Sequence, residues 1–181
     1  LESRMVYAVN RSTAHAQEVL AATGRMSELG LNFSQGWNET TDFKRGFIFK
    51  QWGRPDRWRD VILQGTHVGV ATPFKKYPNP GMRNNQDWTP VDLESLSADE
   101  IPITSYKPGG CPADYDANYD SWATANARDC YRISWRTMAN NTNERTFFPT
   151  LIPPGVAHVD GVYSAGFDKP DALALLRSLA V

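Results

Sequence analysis

Five short runs constrain the fold of this chain more than anything else: GFIFK (46–50), DVILQGTHVGVA (60–71), CYRISW (130–135), TFFPTLI (146–152) and VAHVDGVYSA (156–165). Each is rich in β-branched and aromatic residues, and each is bounded by Gly, Pro, Asn or Asp. Such side chains suit the pleated, half-buried surface of a sheet, and the flanking residues favour turns. Pro149 marks its run as an edge strand or a bulge, because proline donates no ladder hydrogen bond. Ahead of the strands, residues 13–29 read as one amphipathic helix with Val19, Leu20, Thr23 and Met26 on a common face and Gly30 at its end. Behind them, DKPDALALLRSLAV opens a second helix: Asp168 is the N-cap, Pro170 lies in the first turn, and Leu173, Leu175, Leu176 and Leu179 follow helical spacing. The expected class is therefore α+β, a mixed or mostly antiparallel sheet with flanking helices and long loops. The expected organisation is a single domain over residues 1–181. It comprises an N-terminal helical segment (1–30), sheet and loops (31–167) and the start of a C-terminal helix (168–181). The chain begins at Leu1 and stops inside a helical pattern, so we expect a piece of a longer polypeptide.

At 181 residues and 41% hydrophobic content, one domain of this size buries roughly 70% of its unfolded surface. Between residues 72 and 129 prolines, aromatics and amides show little periodicity, and a loop that long in a compact domain is usually functional. No apolar run reaches the ~18 residues of a membrane span, so no membrane partner is expected. Cys111 and Cys130 are too few for a disulfide framework and lack metal-type spacing, which points to a reduced, cytoplasmic protein. His15, His67 and His158 are scattered and suggest no zinc site.

Charge is unevenly placed although the net charge is only −1. Lys44 to Arg83 holds nine Lys or Arg against Asp56 and Asp60, and Asp92 to Asp129 holds eight acids against Lys107 and Arg128. Either the two blocks are solvated surfaces that partly neutralise each other, or the basic one forms a face that meets phosphates.

Catalytic signatures are missing from the sequence. There is no GxGxxG, no GxxxxGK[ST] and no GxSxG. Asp114, Asp116 and Asp120 resemble fragments of a calcium loop, but its glycine and terminal glutamate are lacking. Groups that read bases are better represented. Arginine forks onto guanine and asparagine or glutamine onto adenine. YRISWRTMANNTNERTFFPTLIPPG (131–155) offers Arg132, Arg136, Asn141 and Arg145. KKYPNPGMRNNQDW (75–88) offers Lys75, Lys76, Arg83, Asn84, Asn85 and Gln86. Arg132, Ser134 and Arg136 alternate with Ile133 and Trp135, which puts three polar side chains on one face of that strand and two apolar ones on the other; the polar face suits DNA, solvent or an ion-paired surface equally. Runs of asparagine also serve as ordinary turn chemistry.

The segment from Tyr131 to Gly155 resembles the YRxxxR…NERT(F/L)…(L/I)xPPG block of large adenine-specific DNA methyltransferases of restriction-modification and related phage-defence systems, where it lies in the target recognition region. FSQGWNETTDFKRG (33–46), ILQGTHVGVATPFKKYPNP (62–80), WTPVDLESLSADEIPITSYKP (88–108) and AHVDGVYSAGF (157–167) extend the likeness over most of the chain. The resemblance implies a target recognition domain that grips duplex DNA and selects its sequence, without catalysis of its own. The (N/D)PP(Y/F) motif is absent, since Asn79-Pro80 is followed by Gly81, and so is the glycine-bearing motif for S-adenosylmethionine. Methyl transfer, its S-adenosylmethionine cofactor and base flipping then belong to a catalytic domain elsewhere in the same polypeptide, and this piece needs no cofactor. Within the block, Arg145 and Pro153-Pro154-Gly155 suit structural roles, and the loops around 83–86 and 54–59 suit base contact. The alternative is an interaction domain that docks on the methyltransferase core through the acidic segment and Trp37, Trp88 and Trp122. Carbohydrate binding by Trp52 and Trp58 is a further, weaker reading.

Overall fold

The structure, a computed structural model, describes residues 28, 30–69, 75–84, 86–138, 147–168 and 176. The helix expected over 13–29 and nearly all of the one expected from Asp168 onward lie outside these residues. The chain divides into two compact units, residues 1–31 and 32–181, and every element below belongs to the second. Among the described residues, ten short strands and two α-helices make up a strand-rich α+β architecture in which nearly all strand pairs are antiparallel.

Four strands form one antiparallel sheet: β1 (Asn32–Ser34), β10 (Val162–Gly166), β7 (Arg132–Arg136) and β8 (Thr150–Ile152), in that spatial order. Tyr163 lies opposite Trp135, and Phe33 opposite Ala165, so the aromatic side chains share one side. There Trp135 meets Phe33 edge-on at 6.4 Å and Phe147 at 5.3 Å. The polar side of this sheet is buried, and so is the middle of the opposite side, where Ile133 and Ala165 are both 0% exposed. On the polar side Ser34, Arg132, Ser134 and Ser164 are all buried, while Phe33 on the other stays 54% exposed.

Partners supplied by other elements explain the burial of the polar side. Arg132 donates to the Val156 carbonyl, to Tyr119 Oη (3.4 Å) and to Ser164 Oγ (3.3 Å). Ser164 Oγ also bonds His158 Nε2 at 2.7 Å, and Ser34 Oγ donates to Asp120 at 2.5 Å. A buried polar group is tolerated where such partners exist. Burial, together with the nearby Arg132 charge, pushes the His158 pKa down to about 3, so this imidazole stays neutral.

Two further strand pairs lie outside this sheet. β2 (Ile48–Gly53) pairs with β6 (Thr104–Pro108) in a ribbon, and β3 (Ile62–Leu63) pairs in parallel with β9 (Ala157–His158). Helix α1 (Thr41–Lys44) precedes β2, and α2 (Pro112–Asn118) follows β6. α2 opens with Pro112, where a missing N–H costs no helical bond, and presents Tyr115 to the core with Tyr119 just beyond its end. These two tyrosines join Trp37, Ile48, Ile62, Tyr106 and Val159 in one apolar cluster. Trp37 stacks on Phe47 at 5.0 Å and donates its indole N–H to Tyr115 Oη at 2.6 Å. Trp37 and Trp88 are thus core residues, and the docking role weighed for them does not fit their burial.

The Pro153-Pro154-Gly155 turn is held by Arg128. The Gly155 carbonyl accepts from Arg128 Nε (3.1 Å) and Nη2 (2.7 Å), and the Gly155 N–H donates to the Arg128 carbonyl at 2.6 Å. Gly155 has φ +96°, a conformation that disfavours any residue with a Cβ.

Candidate nucleic-acid interface

The segment 72–129, without periodicity in the sequence, contains a hairpin. β4 (Lys76–Pro78) pairs with β5 (Trp88–Pro90), with Lys76 opposite Pro90 and Pro78 opposite Trp88. The strands are too short to hold this shape by their ladder alone, since an isolated two-stranded hairpin is marginal in water. Three contacts seat it. The Trp88 ring meets His67 edge-on at 4.8 Å. Trp52 of β2 donates its indole N–H to the Pro78 carbonyl at 2.7 Å. Arg54, bridged to Glu100 at 2.8 Å, lies over the Tyr77 ring at 5.7 Å.

His67 is itself fixed. Its Nδ1 accepts from the Gln64 N–H at 2.9 Å, so its proton is on Nε2 and donates to the Ile103 carbonyl at 2.8 Å. Burial lowers its pKa to about 4, which keeps it neutral. This is a packed histidine with no access to solvent.

The connection between the hairpin strands is a preformed turn. The Asp87 carboxylate accepts from the backbone N–H of Arg83 (2.8 Å) and of Asn84 (3.2 Å). Asn84 Oδ1 accepts from the Gln86 N–H at 2.7 Å, and Thr89 Oγ1 donates to Asn79 Oδ1 at 2.6 Å. Asn84 therefore serves the turn with its carbonyl. The side chains of Arg83 and Gln86 are exposed and bond to no other described residue. Lys75 is exposed beside β4, and Lys76 is half-buried at its start.

The remaining cations of the basic block behave differently. Arg45 pairs with Asp42, Arg57 with Asp60, and Arg54 with Glu100. Arg59 bridges Asp116 (2.5 Å) and Asp129 (3.1 Å). Three of the eight acids of the acidic block, Glu100, Asp116 and Asp129, are thus internal counter-charges of the basic one. Lys44, Lys50, Lys75, Lys76 and Arg83 form no ion pair with another described residue.

Among the predicted contact residues, the structure gathers Lys75, Lys76, Arg83, Asn84 and Gln86 on one hairpin. Asn85, Asn141 and Arg145 lie outside the described residues. Arg136 ends β7 opposite Val162, on the four-stranded sheet and not on the hairpin ribbon. Arg132, expected among the DNA contacts, is 0% exposed, its two terminal guanidinium nitrogens bond interior partners, and it reaches no external ligand. Two of the three acids that resembled a calcium loop are also spent internally. Asp116 binds Arg59 and Arg128, and Asp120 accepts from Ser34 and the Gly36 N–H. No cluster of metal-ligating side chains occurs among the described residues, and no helix among them is long and apolar enough to cross a membrane.

Sequence reasoning passed over Lys50 as a hairpin neighbour and did not join Trp52 to this site. Both lie on β2, next to the hairpin, where a register shift between Lys50 and Gly53 breaks the ladder. Bulges re-aim side chains, and Trp52 is 45% exposed here. The signal for that bulge was Gly53, which adopts φ +151°. No family model, curated protein or solved structure matches the chain.

Proposed function

We propose that this chain is a duplex DNA-binding target recognition domain of an adenine-specific DNA methyltransferase, of the restriction-modification or phage-defence kind. Methyl transfer and S-adenosylmethionine belong to a separate catalytic domain. The observation that carries the reading is the β4–β5 hairpin, whose turn is fixed from within while Arg83, Gln86, Lys75 and Lys76 make no ion pair and no side-chain bond with another described residue. A two-stranded ribbon fits the major groove of B-form DNA. On it, Lys75 and Lys76 contact phosphates and set register, and Arg83 and Gln86 reach base edges. The likeness in residues 131–155 supplies the methyltransferase context.

Duplex binding measured across a salt series tests this. The isolated chain is expected to bind weakly, with affinity falling as salt rises. Lys75→Ala and Lys76→Ala are each expected to reduce the log–log slope by roughly 1. Absence of retention at low salt, or slopes unchanged in both variants, overturns the reading.

The alternative, a domain that docks on the methyltransferase core, draws on the outward aromatic side of the four-stranded sheet. Phe33, Phe147 and Tyr163 are each more than a third exposed there, around Trp135. It predicts salt-insensitive association with the catalytic domain and no retention on DNA.

A further inference from the structure

Trp52 combines exposure with fixity. The residue is 45% exposed, yet its indole N–H is pinned to the Pro78 carbonyl at 2.7 Å. Two hollows border it. One, of about 260 Å³, has a mostly apolar wall that includes Tyr77, Pro80, Thr89 and Val91. The other, of about 150 Å³, is bordered by Lys50, Gln51, Asn79, Met82 and Ser105, with no carboxylate among its lining residues.

We infer that Trp52 is a stacking platform for an unpaired nucleobase, held where the β2–β6 ribbon meets the hairpin. The inference rests on the nucleic-acid reading above and names the form of ligand that this part of the site takes. A base within a duplex shows no free face, so the ligand is a base out of the stack or in a single strand. The chemistry of the surround fits each part of a nucleotide. The indole and the apolar wall take the flat face, the amides of Gln51 and Asn79 meet hydrogen-bonding edges, and Lys50 meets the phosphate. A proline-rich peptide fits the apolar wall equally well, but it leaves Lys50, Lys76 and Arg83 without use. The cations free of ion pairs around these ribbons therefore favour an anionic ligand. A ring already fixed also loses little freedom when it binds.

The test compares a single-stranded oligo-dA with an abasic phosphodiester strand of the same length, both titrated into the full chain. Base stacking on an aromatic ring predicts that the base-bearing strand binds about tenfold tighter. Trp52→Ala is expected to bring this ratio close to one, and Trp52→Phe to keep part of it. The ratio cancels any shift of the hairpin that either variant causes. A readout on the unaltered protein removes dependence on variants: 2-aminopurine in the strand is expected to lose fluorescence on binding. Equal affinity for the two strands, or a ratio unmoved by Trp52→Ala, overturns the inference. If duplex is retained with its salt dependence but the ratio is one, the inference falls and the DNA reading stands. If neither strand nor duplex binds, both fall. A Trp52-dependent response to a polyproline peptide, without base preference, assigns the platform to a peptide instead.

Discussion

Arg128→Met is expected to destabilise the domain by about 3 kcal/mol. Arg128 is 1% exposed, and its guanidinium joins three parts of the chain. It donates to the Gly155 carbonyl, to the Arg59 carbonyl and to Asp116, and it lies over the Tyr115 ring at 4.6 Å. Methionine fills similar space but donates nothing. Two backbone carbonyls then lose this donor, at about 1–3 kcal/mol for each group left unsatisfied in the interior. Asp116 keeps Arg59 and is a quarter exposed, so its loss is small. Water reaches the Arg59 side, because that side chain is 48% exposed, which places the sum in the lower half of the range. Relief from burying a charge offsets part of it. With a urea m-value of about 2 kcal/mol/M, the midpoint falls by about 1.5 M. Equilibrium urea unfolding followed by tryptophan fluorescence and far-UV circular dichroism measures this, and coincident transitions check two-state behaviour. A loss below about 1 kcal/mol would refute the account of Arg128 as the tie between β3's approach, α2 and the proline turn.

Arg132→Met gives a sharper comparison, because among the described residues no carboxylate pairs with Arg132, and Ser164 and Tyr119 keep other partners without it. It is expected to cost less than Arg128→Met in the same melts, and an equal or larger cost contradicts that ranking. Stability is also expected to fall between pH 6.5 and about 4. His67 and His158 have folded pKa values lowered to about 4 and about 3, so the unfolded chain binds more protons in that window. Each histidine contributes up to about 1.4 kcal/mol per pH unit there, and urea midpoints that do not change between pH 7 and pH 5 exclude both groups as the source. Gly36→Ala is expected to cost about 2–4 kcal/mol, since Gly36 has φ +73° and a Cβ would overlap the His158 carbonyl and come within 2.5 Å of its Nδ1. Thermal melting checks it, and a midpoint within two or so degrees of the unaltered protein's contradicts the packing argument.

The strand runs were legible because their composition suits a pleated surface, and all five contain observed strands, β8 lying at the end of 146–152. The burial of β7's polar side was not legible. Alternation tells which residues share a side, and it correctly separates Arg132 and Ser134 from Ile133 and Trp135. It does not tell that the polar side is buried as well as Ile133 on the other. That depends on whether distant residues can satisfy the polar set, and here Tyr119, His158, Ser164 and the Val156 carbonyl do so. The hairpin within 72–129 was missed for a similar reason. Its strands have three residues each, too few for a period to register, and their hold comes from Trp88 on His67 and Trp52 on Pro78. α2 did leave a trace, a proline in the first turn and tyrosines four residues apart, but its aspartates drew attention to metal chemistry instead.

The placement of charge bears directly on the DNA reading. A local excess of cations in sequence has no electrostatic reach if each lies against an acid, because a paired charge presents a dipole to a distant phosphate. Arg45, Arg54, Arg57 and Arg59 are in this state, and three of their partners, Glu100, Asp116 and Asp129, come from the acidic block. The loop 54–59, named with 83–86 as a place for base contact, is thereby committed to the domain's own packing through Arg54 and Arg59. Neutralisation there leaves Lys75, Lys76 and Arg83 on the hairpin, and Lys50 beside it within reach of the Glu39 charge, as cations without an ion pair to another described residue. Few free charges mean few counterions released, so the salt dependence of binding is expected to be shallow, with a log–log slope of about −2 to −4 on duplex. Substituting Arg57 or Arg59 is expected to leave that slope unchanged while lowering stability. A slope near −8, which needs the whole basic block to face phosphates, would contradict the pairing seen here.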